Sequence, residues 1–298
     1  MNSAFKIIIA MIIWGSLGLF VKNINLPSME TAFLRAVIAS GIFIIYNLFS
    51  KKANFKQYSR KNLILLTLSG IAIGFNWVLL FQAYKFTTIS NATLSYYFAP
   101  MFVVLLSPIV LKDKLTPRKL LAVIGAMIGL FLILNSQGTT SSISYNHIKG
   151  ISYGLAAAAL YASVMLFNNY IEDLSGFERT IIQLSASAIV LLPFVISRSQ
   201  LHIDSSKSLI FILILGIVHT AVPYLLYFSA LKDINVQSAA ILSYLDPISA
   251  LLFSAVFLHE SMGIWQVGGG ILILLSTFMA ENSKSDKKDD ISTPCETQ

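Results

Sequence analysis

Ten stretches of mostly apolar residues alternate with short polar gaps along this 298-residue chain. A helix needs roughly 20 such residues to cross a bilayer. The stretches have that length: 5–22, 29–49, 62–84, 89–111, 117–135, 148–171, 179–197, 208–231, 235–258 and 264–281. No gap is long enough for a soluble domain, and the longest, 50–61 and 136–147, are polar. The pattern predicts an all-α integral membrane protein of ten transmembrane helices. The opening run "MNSAFKIIIAMIIWGSLGLF" is too long for a signal peptide and has no small-residue cleavage pattern, so it reads as a first span. Residues 282–298, "NSKSDKKDDISTPCETQ", are polar and charged and predict a disordered cytoplasmic tail.

The pattern also repeats. A gapless shift of 147 residues brings Ser16, Leu19 and Phe20 onto Ser163, Leu166 and Phe167. It brings Lys85 onto Lys232, Tyr97 onto Tyr244, Pro100 onto Pro247 and Asp113 onto Glu260. Polar, aromatic and proline positions agree at one offset, which chance matching of apolar helices would not give. The expected units are therefore 1–147 and 148–281. Each holds five spans, an odd number, so the second lies inverted relative to the first. Inverted repeats around a central cavity are a transporter architecture.

Composition supports the membrane class. The chain is 56% hydrophobic and 12% charged, with a mean hydropathy of +0.74; soluble domains carry about 25% charged residues. The net charge of +7 does not point to nucleic acid, because the basic residues fall in the gaps between spans. With the N-terminus inside, Lys6, Lys51, Lys52, Lys56, Arg60, Lys61, Lys112, Lys114, Arg118, Lys119, Arg179, Lys232, Lys284, Lys287 and Lys288 lie on the inner side, 15 in all. Lys22, Lys85, Lys149, Arg198 and Lys207, 5 in all, lie outside, and Arg35 is within a span. That bias predicts a multi-pass protein of the plasma (inner) membrane with both termini cytoplasmic. The one cysteine, Cys295, excludes a disulfide framework and a thiolate metal site. The sequence has no G-x-x-x-x-G-K-[ST], H-E-x-x-H or G-x-S-x-G motif, so neither a cofactor nor a metal is expected.

The candidate chemistry lies inside the spans. In "ILSYLDPISALLF", Asp246 is the one mid-span acid of fourteen. A charge at a helix centre costs about 2.5–3.5 kcal/mol on insertion scales, so it persists only with a partner or a watery cavity. Pro247 cannot donate to the carbonyl of Ser243, nor Pro100 to that of Tyr96, so each predicts an interruption facing protein or a cavity. A packing kink is the equal alternative for either proline. His219, the one mid-span histidine, lies 14 residues before position 233 and Asp246 lies 13 after it. Both are then about 20 Å from the connecting loop and share a depth, where they could hold a proton or a cation. The alternative is that His219 bonds a nearby carbonyl. The shift places Ala99, Ala72 and Ile182 opposite Asp246, His219 and Arg35. The scaffold is thus duplicated and the charges are not, as expected of a site on one substrate. Arg35 sits about two turns from its helix end and could instead snorkel. Trp77, Tyr224, Tyr96, Tyr97, Tyr244 and Asn76 are candidates to line the cavity, with packing as their alternative role. Gly70-x-x-x-Gly74, Gly125-x-x-x-Gly129 and Gly268–Gly270 are close-packing devices.

These residues resemble the EamA family of the drug/metabolite transporter superfamily. The resemblance rests on "IIWGSLGLFVK", "FLRAVIASG", "NWVLLFQAYKFTTISNATLSYYFAPMF", "LKDKLTP" and "HTAVPYLLYFSALKDINVQSAAILSYLDPISALLFSAVFLHESM", and covers residues 5–281. In this family the ninth span often reads acidic residue, proline, small and apolar residues, then Glu, which Asp246, Pro247 and Glu260 match. The resemblance implies helices 1–4 and 6–9 around a cavity, with 5 and 10 at the periphery. It implies secondary transport, often outward, of small metabolites. Triose-phosphate relatives carry basic residues in the ninth span; Asp246 there argues against phosphorylated cargo. The expected function is export of small amphipathic, zwitterionic or cationic metabolites, amino-acid-like or drug-like, by alternating access. The expected partners are that substrate, the lipid bilayer and a proton as candidate coupling ion. An intramembrane enzyme acting on a lipid precursor and a passive channel are the rival classes.

Overall fold

The computed structural model describes residues 2–51, 53, 58–110, 116–135, 146–171, 173–198, 205–230, 242–243, 245–260 and 262–289. Among them there are helices and no strands. In chain order these are α1 (Ser3–Gly15), α2 (Leu17–Lys22), α3 (Ser28–Ser50), α4 (Arg60–Phe86), α5 (Ile89–Tyr96), α6 (Ala99–Val110), α7 (Pro117–Asn135), α8 (His147–Asn169), α9 (Gly176–Arg198), α10 (Ser206–Gly216), α11 (Val222–Ala230), α12 (Leu245–Leu258) and α13 (Ile264–Asp289). A π turn, Ile217–Ala221, joins α10 to α11. Seven stretches are long and apolar enough to cross a membrane, and three shorter apolar helices lie at Leu120–Leu132, Leu245–Leu258 and Ile264–Ser276. Together they occupy the ten predicted segments. Residues 235–241 of the expected ninth span, Tyr244, Asp113 and Lys232 lie outside the described residues, as does 290–298. The polar stretch expected to be disordered from 282 continues α13 as helix to Asp289.

Helix starts follow from local chemistry. The first turn of a helix has amides with no partner within the helix. Asn2, Ser59, Thr88, Asn146 and Ser205 each accept from one of these with a side-chain oxygen. At α9, Ser175 and Glu178 form a reciprocal box: Glu178 N donates to Ser175 Oγ, and Ser175 N donates to Glu178 Oε2 at 2.9 Å. The neighbouring Tyr58 hydroxyl donates to Glu178 Oε1 at 3.0 Å. Burial and this carboxylate push the Tyr58 phenol above its ordinary range.

The packing is that of a membrane protein. The periphery is apolar and exposed, as with Phe49 (85%) and Ile264 (82%), whereas Arg35, Asn76, Gln183, His219 and Thr220 are buried within. Polar ties join the helices: Gln183 Nε2 donates to Ser69 Oγ at 2.7 Å, and Ser187 Oγ to the Gly70 carbonyl at 2.6 Å. The principal pairings exchange under the 147-residue shift. As α4 packs on α8, so α1 packs on α11; as α5 and α6 pack on α8, so α1 and α2 pack on α12. As α4 packs on α9, so α3 packs on α10 and the π turn. The pairs α3–α9 and α7–α13 map onto themselves.

Two of the glycine pairs have the expected use. A Cβ on Gly70 would lie 2.6 Å from Ala186 Cβ, and one on Gly129 2.6 Å from the Gly269 carbonyl. A third close approach, at Gly15, was not among the expected motifs. A Cβ there would meet Ser249 Oγ at 1.9 Å and the Asp246 carbonyl at 2.7 Å. Gly15 thus seats the start of α12 directly on α1. Gly15→Ala is expected to lower the melting temperature of the detergent-solubilised protein, by the equivalent of about 1–3 kcal/mol of overpacking. Gly41→Ala, where a Cβ meets nothing within 4 Å, is expected not to.

Candidate functional site

Three interrupted helices build the site. The fourth span breaks at Tyr97 and Phe98, between α5 and α6, and Pro100 occupies the second position of α6. Pro247 likewise lies in the first turn of α12. Both prolines therefore begin a half-helix instead of kinking a continuous one. Proline is tolerated there because first-turn amides have no intrahelical acceptor. Asp246 is in that same first turn, where the positive end of the helix dipole favours a carboxylate.

The third interruption is the π turn. Pro223 has no N–H to give the carbonyl of His219, four residues earlier. That carbonyl instead accepts from Trp14 Nε1 at 3.2 Å and Arg35 Nη2 at 3.3 Å. Thr220 Oγ1 donates to the Leu215 carbonyl, five residues back, at 2.8 Å, and accepts from Arg35 Nε at 2.6 Å. Sequence reasoning missed this turn, although Pro223 was its visible signal.

Around these breaks the expected residues converge. The Tyr97 hydroxyl donates to Asp246 Oδ2 at 2.5 Å, linking the two halves of the chain. Tyr96 packs against Tyr97 and against Tyr161, with ring centroids 6.2 and 5.6 Å apart. Trp14 packs edge-on to Tyr224 at 5.3 Å and tilted to Tyr227 at 5.8 Å. Asn76 Nδ2 donates to the Ala157 carbonyl at 2.6 Å. Trp77 lies under the Arg35 guanidinium, 4.1 Å from Cζ to the ring centroid. Asp246, Tyr96, Tyr97 and Tyr224 keep some accessible surface, and Tyr161 is 39% exposed. They do so deep among packed neighbours. Behind them Arg35, Asn76, Trp77 and His219 are buried. The arrangement is an aromatic-walled recess with Asp246 at its surface. Two apolar grooves, of about 490 Å³ beside Ile44, Ile181 and Ile189 and about 450 Å³ beside Trp265 and Leu272, include none of these groups.

Some expected placements change. Arg35 does not snorkel: it is 3% exposed and is held inward by Thr220 and the His219 carbonyl. His219 and Asp246 have separate partners. His219 Nε2 meets Ser16 Oγ at 2.9 Å, its Nδ1 is 3.5 Å from the Ile214 carbonyl, and its ring lies 4.4 Å from Phe20. Among the described residues the one ion pair joins Lys22 and Glu260, not His219 and Asp246. Tyr244 lies outside the described residues. Trp14, Tyr161 and Tyr227 were not among the expected site residues. The match of Trp14 with Tyr161 under the repeat shift was the signal for two of them.

A second polar assembly closes one end of the bundle. Glu260 accepts from Lys22 Nζ at 2.7 Å and from the first amides of α5, Ile89 N at 3.0 Å and Ser90 N at 3.5 Å. Ser90 Oγ also meets Ser254 Oγ at 2.8 Å, and Gln266 Nε2 donates to Asn91 Oδ1 at 2.9 Å. A carboxylate at a helix N-terminus is a favoured pairing, and here it clasps α2, α5 and the end of α12 together.

Removing one donor from a buried carboxylate costs about 1–3 kcal/mol. Tyr97→Phe is therefore expected to lower the melting temperature. An unchanged melting temperature would mean that this hydrogen bond does not support the carboxylate.

The family model described as "EamA-like transporter family" matches the chain twice, at residues 1–135 and 148–281. The chain is 29% identical over 280 residues to the uncharacterized transporter YxxF of Bacillus subtilis (strain 168), covering 92% of this chain and 89% of that one. It is 26% identical over 277 residues to an uncharacterized transporter of Archaeoglobus fulgidus, covering 92% and 94%. To protein RarD of Salmonella typhi it is 25% identical over 260 residues, covering 85% of each. A crystal structure of another protein superposes with a TM-score of 0.65 at 17% identity, covering 96% of this chain and 98% of that one.

Proposed function

Because the chain belongs to the EamA-like transporter family, a family of multi-pass membrane transporters, we propose that it is a secondary transporter that exports small amphipathic, zwitterionic or cationic metabolites across the plasma membrane. Its two five-helix units lie inverted, and the substrate site alternates between the two sides as they rock. Both termini are cytoplasmic, in keeping with the excess of inner Lys and Arg. The pairwise exchange of packing partners under the repeat shift supports the inverted arrangement. In this orientation the Glu260 clasp lies at the outer end and has to part whenever the site faces outward.

One observation carries this reading: Asp246, at the start of a half-helix from one repeat, is held by Tyr97 from the other inside an aromatic recess. Interrupted helices that present their N-termini to a midplane site are a recurrent transporter device. A hydrogen-bonded carboxylate at the surface of a recess is built to exchange its partner, and Asp246 takes either the cationic end of the cargo or a proton. The aromatic wall accepts apolar bodies and, through its π faces, cations.

Asp246→Asn is close in shape and cannot ionise. It is expected to abolish substrate-driven flux in proteoliposomes while the protein still elutes as a single species. Flux at the wild-type rate would make Asp246 structural and overturn the reading.

A further inference from the structure

The groove of about 490 Å³ is walled by α3, α4 and α9, so both halves of the chain form it. Its origin is in the packing. Gly70 lets α4 and α9 touch, a Cβ there lying 2.6 Å from that of Ala186, and the branched side chains of Ile44, Ile71, Ile181 and Ile189 line the space beside that contact. Its two hydroxyls are spent within their own helices: Thr67 Oγ1 donates to the Leu63 carbonyl at 2.8 Å and Ser185 Oγ to the Ile181 carbonyl at 2.7 Å. The long wall, from Ile181 to Val190 of α9, rises by about 13 Å. One leaflet of a bilayer holds about 15 Å of hydrocarbon, so the groove has the length of a single leaflet's acyl chains.

One end of this groove is basic. Lys51, which closes α3, lies seven residues beyond Ile44, and Arg60, which opens α4, lies seven residues before Thr67. Seven residues are two turns, so each cation shares the groove's face of its helix, about 10 Å along it. Both are exposed, and neither is in an ion pair among the described residues. The charges at the same end of α9 are already engaged. Arg179 donates to the carbonyls of Leu174, Asn168 and Ile171, and Glu178 accepts from Ser175 and the Tyr58 hydroxyl.

We propose that this groove is the binding site of an anionic phospholipid, with an acyl chain lying along α9 and the headgroup phosphate drawn to Lys51 and Arg60. A hydrocarbon chain asks no hydrogen bond of the wall, and the wall has none to give. Basic ends of grooves between transmembrane helices select anionic headgroups, whereas a zwitterionic headgroup would bring its own cation against the two of the protein. With both termini inside, the lipid belongs to the cytoplasmic leaflet. It touches α3 and α4 of one repeat and α9 of the other, so its binding favours the arrangement of the two that forms the groove. The inference uses neither the cargo nor the recess at Asp246, and goes beyond the transport reading.

The test uses the purified full-length protein in detergent, its melting temperature followed as dioleoylphosphatidylglycerol, dioleoylphosphatidylcholine or glycerol 3-phosphate is added. Phosphatidylglycerol is expected to reach half its stabilising effect at a concentration at least tenfold below that of phosphatidylcholine, and glycerol 3-phosphate to have no effect. The double variant Lys51→Gln, Arg60→Gln is expected to erase that preference and leave the melting temperature without lipid unchanged, because both side chains are exposed. Ile189→Trp fills the groove at a position 70% exposed and is expected to weaken phosphatidylglycerol tenfold or more; Leu252→Trp, at 60% exposed on α12, which is no wall of the groove, is expected not to. Equal potency of the two lipids, a preference that survives the double variant, or stabilisation by glycerol 3-phosphate alone would overturn the inference. So would a mass of two chains in detergent that Ile189→Trp reduces to one, because the occupant would then be a second copy of the chain.

Discussion

Hydrocarbon offers a peptide group no hydrogen bond, and the rest of this structure depends on that constraint. A continuous helix meets it without help. A proline inside a span breaks it at one carbonyl, and the protein has to supply a donor from elsewhere or turn the gap toward a polar space. At Pro223 the supply is visible: the indole of Trp14 and the guanidinium of Arg35 both reach the His219 carbonyl. These donors come from the other half of the chain, so repairing one backbone defect also draws two repeats together. At Pro100 and Pro247 the proline stands in the first turn of a half-helix, and at Pro247 the positive end of that helix is an environment where an acid is tolerated.

The same logic explains why polar residues gather in the middle of a protein with so apolar a periphery. Side chains such as Arg35, Asn76, Gln183 and His219 are stable within the bundle because each has partners there. Once present, they define a recess that differs in character from the grooves on the lipid-facing surface. The aromatic rings around it combine apolar area with hydroxyl and indole groups. That mixture gives the recess both apolar and hydrogen-bonding faces.

Much of this was legible in the sequence, for physical reasons. Bilayer thickness sets span length, so the segments were readable to within a few residues wherever both ends are described, and the internal repeat left its offset in Ser16, Lys85, Tyr97 and Pro100. Asp246 stood out because isolated acids are rare in apolar runs. Other features depended on contacts between distant residues. Depth along a helix places Arg35 near an end, and only the neighbouring Thr220 and Trp77 reveal that it points inward. His219 shares a depth with Asp246, yet Ser16 and Phe20 are its partners. The break after Gly15 and the π turn were hidden because apolar periodicity averages over single-residue irregularities. The helix past 281 was missed because charge content marks where a span ends, not where a helix does.

The π turn has a geometric consequence of its own. Such a turn accommodates one residue more than an α-helix would over the same rise, and each residue of an α-helix advances the azimuth by about 100°. Rewinding residues 217–221 as ordinary α-helix, with no residue removed, would spin everything beyond them by about that angle. Tyr224 and Tyr227 would leave Trp14, and the His219 carbonyl would lose its two visiting donors. The phase of α11, and with it one wall of the recess, is therefore set by a one-residue surplus in the winding of the span.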